Sequence, residues 1–231
     1  MEKYQPLEKT IGTKIKNRDL LDNVFIHRSY LNEHKSLKLA SNEKMEFLGD
    51  SVLSLITSVY LFKNYPTLKE GDYTEIKSAI VKTESLAHAA VEIKLGNYLY
   101  LSKGEELGGG RTNRNILADC FEALIGCIFL DASFEKAYEF VCNHLFKKTL
   151  DSILEDKSYL SAKSMLQEVT QAKYKTTPLY KVLEEKGPEH KRTFTVAVFF
   201  NNRKLGSGTA FSKKEAEEKA AKEAFDNIKG I

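Results

Sequence analysis

Between Asn42 and Ser51 the chain reads NEKMEFLGDS, which sets three carboxylates, Glu43, Glu46 and Asp50, three and four residues apart. At about 100° per residue these acids fall within a helical sector of roughly 60°. Met45, Leu48, Val52, Leu55, Ile56 and Val59 form an apolar stripe on the other side, so a helix with one acidic face is predicted. The pattern returns in NILADCFEALIGCIFLD, where Asp119 and Glu122 lie three apart and Leu117, Phe121, Leu124, Ile125 and Ile128 take the other side. Gly49 stands beside Asp50, and Gly126 and Ala123 share the edge of Asp119 and Glu122, so two backbones can approach closely there. Packed acid face to acid face, the helices would gather four or five carboxylates that repel and raise one another's pKa values unless a divalent cation lies between them. Oxygen ligands without thiolate or imidazole point to Mg²⁺ or Mn²⁺ rather than to Zn²⁺. On spacing alone a solvated acidic face and a metal site both remain open.

The elements that must position these acids come next. Helical periodicity runs over 18–25, 42–62, 72–95, 113–130 and 133–154, with DYTE at 72–75 as a capping box, so the first part is predicted to be all-helical. The glycines of the 102–112 loop have no GK[ST] after them, which excludes a nucleotide-binding loop and leaves them to free the chain. A polar stretch, EDKSY, then separates a second part with a helix at 162–173, strands at 179–186, 192–200 and 204–210, and a closing helix at 213–228. Asn201-Asn202 supplies the turn between the last two strands. The parts differ in charge: residues 1–160 carry 21 Lys and Arg against 23 acids, residues 161–231 carry 14 against 9. The second part is therefore the expected polyanion binder.

The 231 residues, 42% hydrophobic, suffice for one or two cores. No apolar stretch is expected to approach the roughly 20 residues of a membrane span. The N-terminus lacks a signal-peptide core, so a cytoplasmic protein without a membrane partner is expected. Cys120, Cys127 and Cys142 lack CxxC spacing and read as reduced core or near-core thiols.

NEKMEFLGDS closely resembles the signature of the ribonuclease III family, and ILADCFEALIGCIFLD its second motif. HRSY at 27–30 and EGDYTEIKSAIVKTESLA from Glu70 are similar to further family segments in the same order. The resemblance implies an endonuclease domain over 1–155, a linker at 156–160 and a double-stranded RNA-binding domain over 161–231. It implies metal-dependent hydrolysis of duplex RNA, with Glu46, Asp50, Asp119 and Glu122 holding the metal and Asp50 and Glu122 indispensable. Glu43 and Glu70 match accessory acidic positions. A homodimer is also implied, with Phe47 and Leu48 offered to the symmetry mate. Cleavage would leave 5′-phosphate and 3′-hydroxyl ends with short 3′ overhangs, on ribosomal RNA precursors and structured messenger RNAs.

In the second part, Gln167 and Glu168 match positions that reach a minor groove, and GPEHK with His190 matches the loop that reaches the next one. Ser212, Lys213 and Lys214 match the positive helix end that faces phosphates. The departure is Glu217, where many such domains carry a third lysine; phosphate affinity then rests on Lys213 and Lys214, with Lys219 or Lys222 in support. Two rival classes are a silent RNA-binding protein, which would be expected to lose some of the four acids, and a DNA-directed nuclease, which would not need contacts to 2′-hydroxyls.

Overall fold

The computed structural model describes residues 3–147, 150, 153–154, 159–188 and 191–229. Contacts divide the chain into two compact units, Met1–Tyr159 and Leu160–Ile231. Residues 156–158 of the expected linker lie outside the described residues.

The first unit is helical: α1 (Gln5–Ile11), α2 (Arg18–Val24), α3 (Arg28–Glu33), α4 (Glu43–Asn64), α5 (Glu70–Ile80), α6 (Thr83–Glu92), α7 (Lys103–Leu107), α8 (Arg114–Asp131) and α9 (Phe134–Val141). At the centre, α8 lies against α4 and α6. The short helices α1, α3 and α7 were not expected, since five to seven residues give periodicity too little length to register. The helix expected over 72–95 is two helices with a corner at Val81 and Lys82. Ile76, Ile80, Leu86, Ala89 and Ala90 are buried on both sides of that corner, so the apolar pattern runs through the break and conceals it. The expected cap at 72–75 also moves: α5 begins at Glu70, and the Asp72 carboxylate accepts the Lys69 N–H at 3.1 Å. The run expected over 133–154 starts at its Ser133 cap and turns π-helical at Cys142–Phe146.

Two readings of α4 need correction. Leu55 is 54% exposed, whereas Gly49, Leu53 and Thr57 are buried with Met45, Val52, Ile56 and Leu61. The buried face is thus rotated toward the glycine, because the neighbour that covers it is the backbone of α8. By length and composition α4 is also apolar enough to cross a membrane, against expectation. Part of that apolarity packs against α8 in the core, and part stays exposed at Phe47, Leu55 and Phe62. In the glycine-rich loop Gly104 has open space around it, whereas Gly110 is tightly packed. A Cβ on Gly110 would come within 2.8 Å of Glu105 and 2.9 Å of Leu101, and the Arg111 guanidinium binds the Gly96 and Leu99 carbonyls at 2.9 and 3.0 Å.

The second unit runs α10 (Ala162–Tyr174), β1 (Leu179–Lys186), β2 (Thr193–Phe200), β3 (Arg203–Ala210) and α11 (Lys213–Lys229), an α-β-β-β-α order that bears out the expected fold class. The sheet is antiparallel in the order β1-β2-β3. Asn201 and Asn202 both take positive φ, 46° and 63°, as a two-residue hairpin with a primed turn requires. Buried Ala216, Ala220, Ala221 and Ala224 let α11 lie directly on β3, where a Cβ on Gly206 would come within 2.6 Å of the Ala220 carbonyl. Cys120 and Cys127 are buried free thiols and Cys142 is half-buried and free, as expected.

Glycine substitutions test the packing of α4. Gly49→Ala places a methyl on the Glu122 carbonyl and is expected to destabilise by about 3 kcal/mol or more. Gly71→Ala, in open space on α5, is expected to stabilise by roughly 0.5–1 kcal/mol. Urea unfolding of both variants checks the contrast.

Candidate active site

Three structural ties place α4 and α8 for the site. Buried Asn42 stands just before α4, where its backbone carbonyl accepts the Met45 and Glu46 N–H groups and its side chain reaches back to the Val24 carbonyl at 3.2 Å. The Cys120 thiol of α8 donates to the same Val24 carbonyl at 3.7 Å, so the end of α2 holds both helices. The third tie is the glycine contact: a Cβ on Gly126 would come within 2.5 Å of the Met45 carbonyl, and one on Gly49 would collide with Glu122. Asn113 caps α8 by accepting the Asn115 and Ile116 N–H groups, and Asp131 at the other end takes those of Lys16 and Asn17 at 2.7 and 2.8 Å.

With the helices so close, Glu46, Asp119 and Glu122 each offer an oxygen within 4.8 Å of the others. Burial raises the pKa of all three carboxyls. Glu122 is pushed up to about 8, first by burial and then by the charges of Asp50, Glu46 and Asp119. Glu46 is raised by burial and by Asp119, Glu43 and Asp50. Asp119 is raised by burial and relieved in part by His27 and Arg28. Such a group is short of positive charge, and its donors are all hard oxygens, so a divalent cation fits it.

Of the other expected site residues, Asp50 is exposed and stands outside the tight trio, although its charge is felt at Glu46 and Glu122. Glu43 is exposed, accepts the Ser41 hydroxyl at 2.6 Å and faces Arg28 at 3.9 Å. Glu70 is exposed at the first position of α5 and does not join the trio. Helix α8 is buried on nearly every side, and Asp119 and Glu122 are half-buried where it meets α4. His27 and Arg28 sit beside the trio without having been singled out individually, since only the HRSY string marked them.

On the second unit, Gln167 and Glu168 are exposed on α10, and Lys213 and Lys214 are exposed at the start of α11. The Ser212 hydroxyl accepts the Glu215 N–H at 3.2 Å and sets that helix start. His190 lies outside the described residues. Glu217 has a structural partner instead of a phosphate: Lys163 of α10 binds it at 2.6 Å. Lys219 donates to the Thr209 carbonyl at 3.1 Å, whereas Lys222 is exposed.

A family model described as ribonuclease-III-like matches residues 17–149, and one described as a double-stranded RNA binding motif matches residues 162–228. The class is therefore a nuclease joined to a duplex-RNA binder. The chain is 42% identical to the ribonuclease 3 of Treponema denticola over 221 residues, 96% of this chain and 89% of that one. It is 41% identical to the ribonuclease 3 of Oceanobacillus iheyensis over 224 residues, 97% of each. Among solved structures, the nuclease domain of ribonuclease III from Campylobacter jejuni matches with a TM-score of 0.58 and 35% identity, over 62% of this chain and 96% of that one. This chain belongs to the ribonuclease III family and is an endoribonuclease of double-stranded RNA.

The raised carboxyls make a prediction for the metal-free protein. Between pH 4.5 and about 8 folded Glu122 keeps a proton that the unfolded chain has lost, so stability falls as pH rises through that window. Thermal melting in chelator from about pH 5 to about pH 8 should show the decline, and Glu122→Gln, which cannot ionise, should make it shallower.

Proposed function

We propose that this endoribonuclease hydrolyses phosphodiesters of duplex RNA with Mg²⁺, or with Mn²⁺ in its place, held by Glu46, Asp50, Asp119 and Glu122. The observation that carries the reading is the trio of carboxylate oxygens within 4.8 Å, each with its pKa raised for want of a counter-charge. When bound, two such ions supply Lewis acidity, making water nucleophilic near neutral pH and neutralising charge on the departing 3′ oxygen. The ends left are then a 5′ phosphate and a 3′ hydroxyl. Glu122 and Asp119, fixed by the rigid α8, hold position from one side, and Glu46 from the first turn of α4 closes the other. Asp50, exposed and one turn beyond Glu46 on α4, would be the fourth ligand. Glu43 and Glu70 are proposed as accessory acids that support the site or the RNA across the dimer.

The proposed division of labour puts cleavage in residues 1–155 and duplex binding in 161–231, joined by 156–160. Exposed Gln167 and Glu168 would meet a minor groove and the His190 loop the next one, with Lys213 and Lys214 on the phosphates between. The working unit is proposed to be a homodimer. Phe47, Leu55 and Phe62 are 77, 54 and 73% exposed on α4, and Leu48 is half-buried among them. An apolar stripe of that kind, continuous with the site, suits a two-fold contact that brings two centres onto opposite strands and leaves short 3′ overhangs. The proposed setting is the cytoplasm, with ribosomal RNA precursors and structured messenger RNAs as substrates.

Paired variants test the reading. Glu122→Gln should lower Mg²⁺-dependent cleavage of a long duplex by roughly two orders of magnitude or more while leaving duplex affinity in Ca²⁺ unchanged. Changing Lys213 and Lys214 to Ala should do the reverse, weakening affinity for every duplex alike and making the slope of log K against log salt shallower by roughly 1.5–2. Wild-type cleavage by the first variant, or an unchanged slope in the second, contradicts the assignment concerned.

A further inference from the structure

Beside the carboxylate trio the first unit opens into a polar cavity of about 700 Å³. Glu46 and Asp119 line it but Glu122 does not, so the cavity extends to one side of the trio. The rest of its lining includes His27 at the cap of α3, Arg28 and Asn32 within that helix, and Asn115 from the first turn of α8. These groups can donate, and they stand among four carboxylates of the same lining, Glu43, Glu46, Glu105 and Asp119.

The chemistry of His27 is fixed by its neighbours. Its Nδ1 accepts the Ser29 backbone N–H at 3.3 Å and stands 2.8 Å from the Ser29 hydroxyl, which in turn accepts the Ser102 amide at 3.1 Å. An Nδ1 that accepts a backbone N–H carries no proton, so the ring proton sits on Nε2. No group among the described residues accepts that Nε2–H. Arg28 is similarly uncommitted. Its one ion pair among the described residues, to Glu43 at 3.9 Å, joins side chains 74 and 56% exposed, too long and too wet to hold a guanidinium in place. A neutral N–H donor and a forked cation side by side suit the two free oxygens of a phosphodiester. The amides of Asn32 and Asn115, both exposed, suit ribose hydroxyls on either side.

We propose that His27 and Arg28 bind the RNA phosphodiester next to the one being cut and so fix the register of the strand over the carboxylates. The inference rests on reading the trio as the cleavage centre. A phosphate there carries no sequence information, so these residues would set where a bound duplex is cut rather than which duplex is bound.

The test uses RNA duplexes carrying a single neutral methylphosphonate at successive positions around the cut, in single-turnover cleavage with Mg²⁺. Arg28→Gln removes the charge. His27→Asn keeps an oxygen to accept the Ser29 N–H at the helix cap but removes the Nε2–H. Each variant should cleave the unmodified duplex about tenfold more slowly, as for loss of one charge-assisted contact. At one flanking position the methylphosphonate should slow the wild-type protein by about the same factor and slow Arg28→Gln little further. Duplex affinity in Ca²⁺ should fall about as much at that position in the wild type, and not in the variant. Losses that multiply at every position, as bracing of α3 or Glu43 alone would give, overturn the inference, and so does wild-type cleavage by both variants. If the wild-type protein fails to cut the unmodified duplex, the cleavage reading falls and takes this inference with it.

Discussion

The structure of the nuclease unit depends on one contact, the backbone-to-backbone approach of α4 and α8. Gly49 lies on the Glu122 peptide and Gly126 on the Met45 peptide, so no side chain separates the helices where the acids project. A methyl group at either glycine would push the helices apart and spread the carboxylates. Asn42 and Cys120, both bound to the Val24 carbonyl, set the height at which the two helices meet. The glycines impose a cost of about 1 kcal/mol each in helix propensity, which burial of nearly the whole of α8 offsets.

That contact also explains the electrostatics. Glu122 has its pKa raised to about 8 because α4 covers it and because Asp50, Glu46 and Asp119 all face it. The same acids would become favourable once a divalent cation shared them, so the mutual repulsion within the cluster and the proposed affinity for a metal have one source. The second unit solves a different problem with the same device. Glycines on β3 and alanines on α11 bring helix and sheet together, leaving the start of α11 and its lysines to the solvent.

Much of this was legible in the sequence. The spacing of Glu46, Asp50, Asp119 and Glu122 and the glycines beside them give the acid-to-acid packing of two helices, and the alternation after Leu179 gives the strands to within a residue. The limits are physical. Periodicity could not show the corner at Val81, because the residues on both sides bury the same face. It could not show that α8 is covered all round, because which side of an apolar helix is buried depends on neighbours distant in sequence. Leu55 was misplaced for that reason: an apolar residue is not thereby a core residue, and on α4 the glycine face is the one that packs. Glu217, a departure from the lysine pattern, has its explanation only in Lys163, 54 residues away. Nor did any pattern single out His27 or Arg28, which meet the acids through the fold of α3.

The central claim is that α4 and α8 hold a proton-bearing carboxylate cluster that a divalent cation must discharge. Calorimetric titration of Mg²⁺ or Mn²⁺ into the protein near neutral pH, in two buffers of different ionisation enthalpy, measures the protons released on binding. The result expected is net proton release that disappears in Glu122→Gln, with weaker ion binding in that variant, since Glu122 with its pKa near 8 must lose a proton to become a ligand. A binding heat independent of the buffer, or ion affinity unchanged by Glu122→Gln, would contradict it.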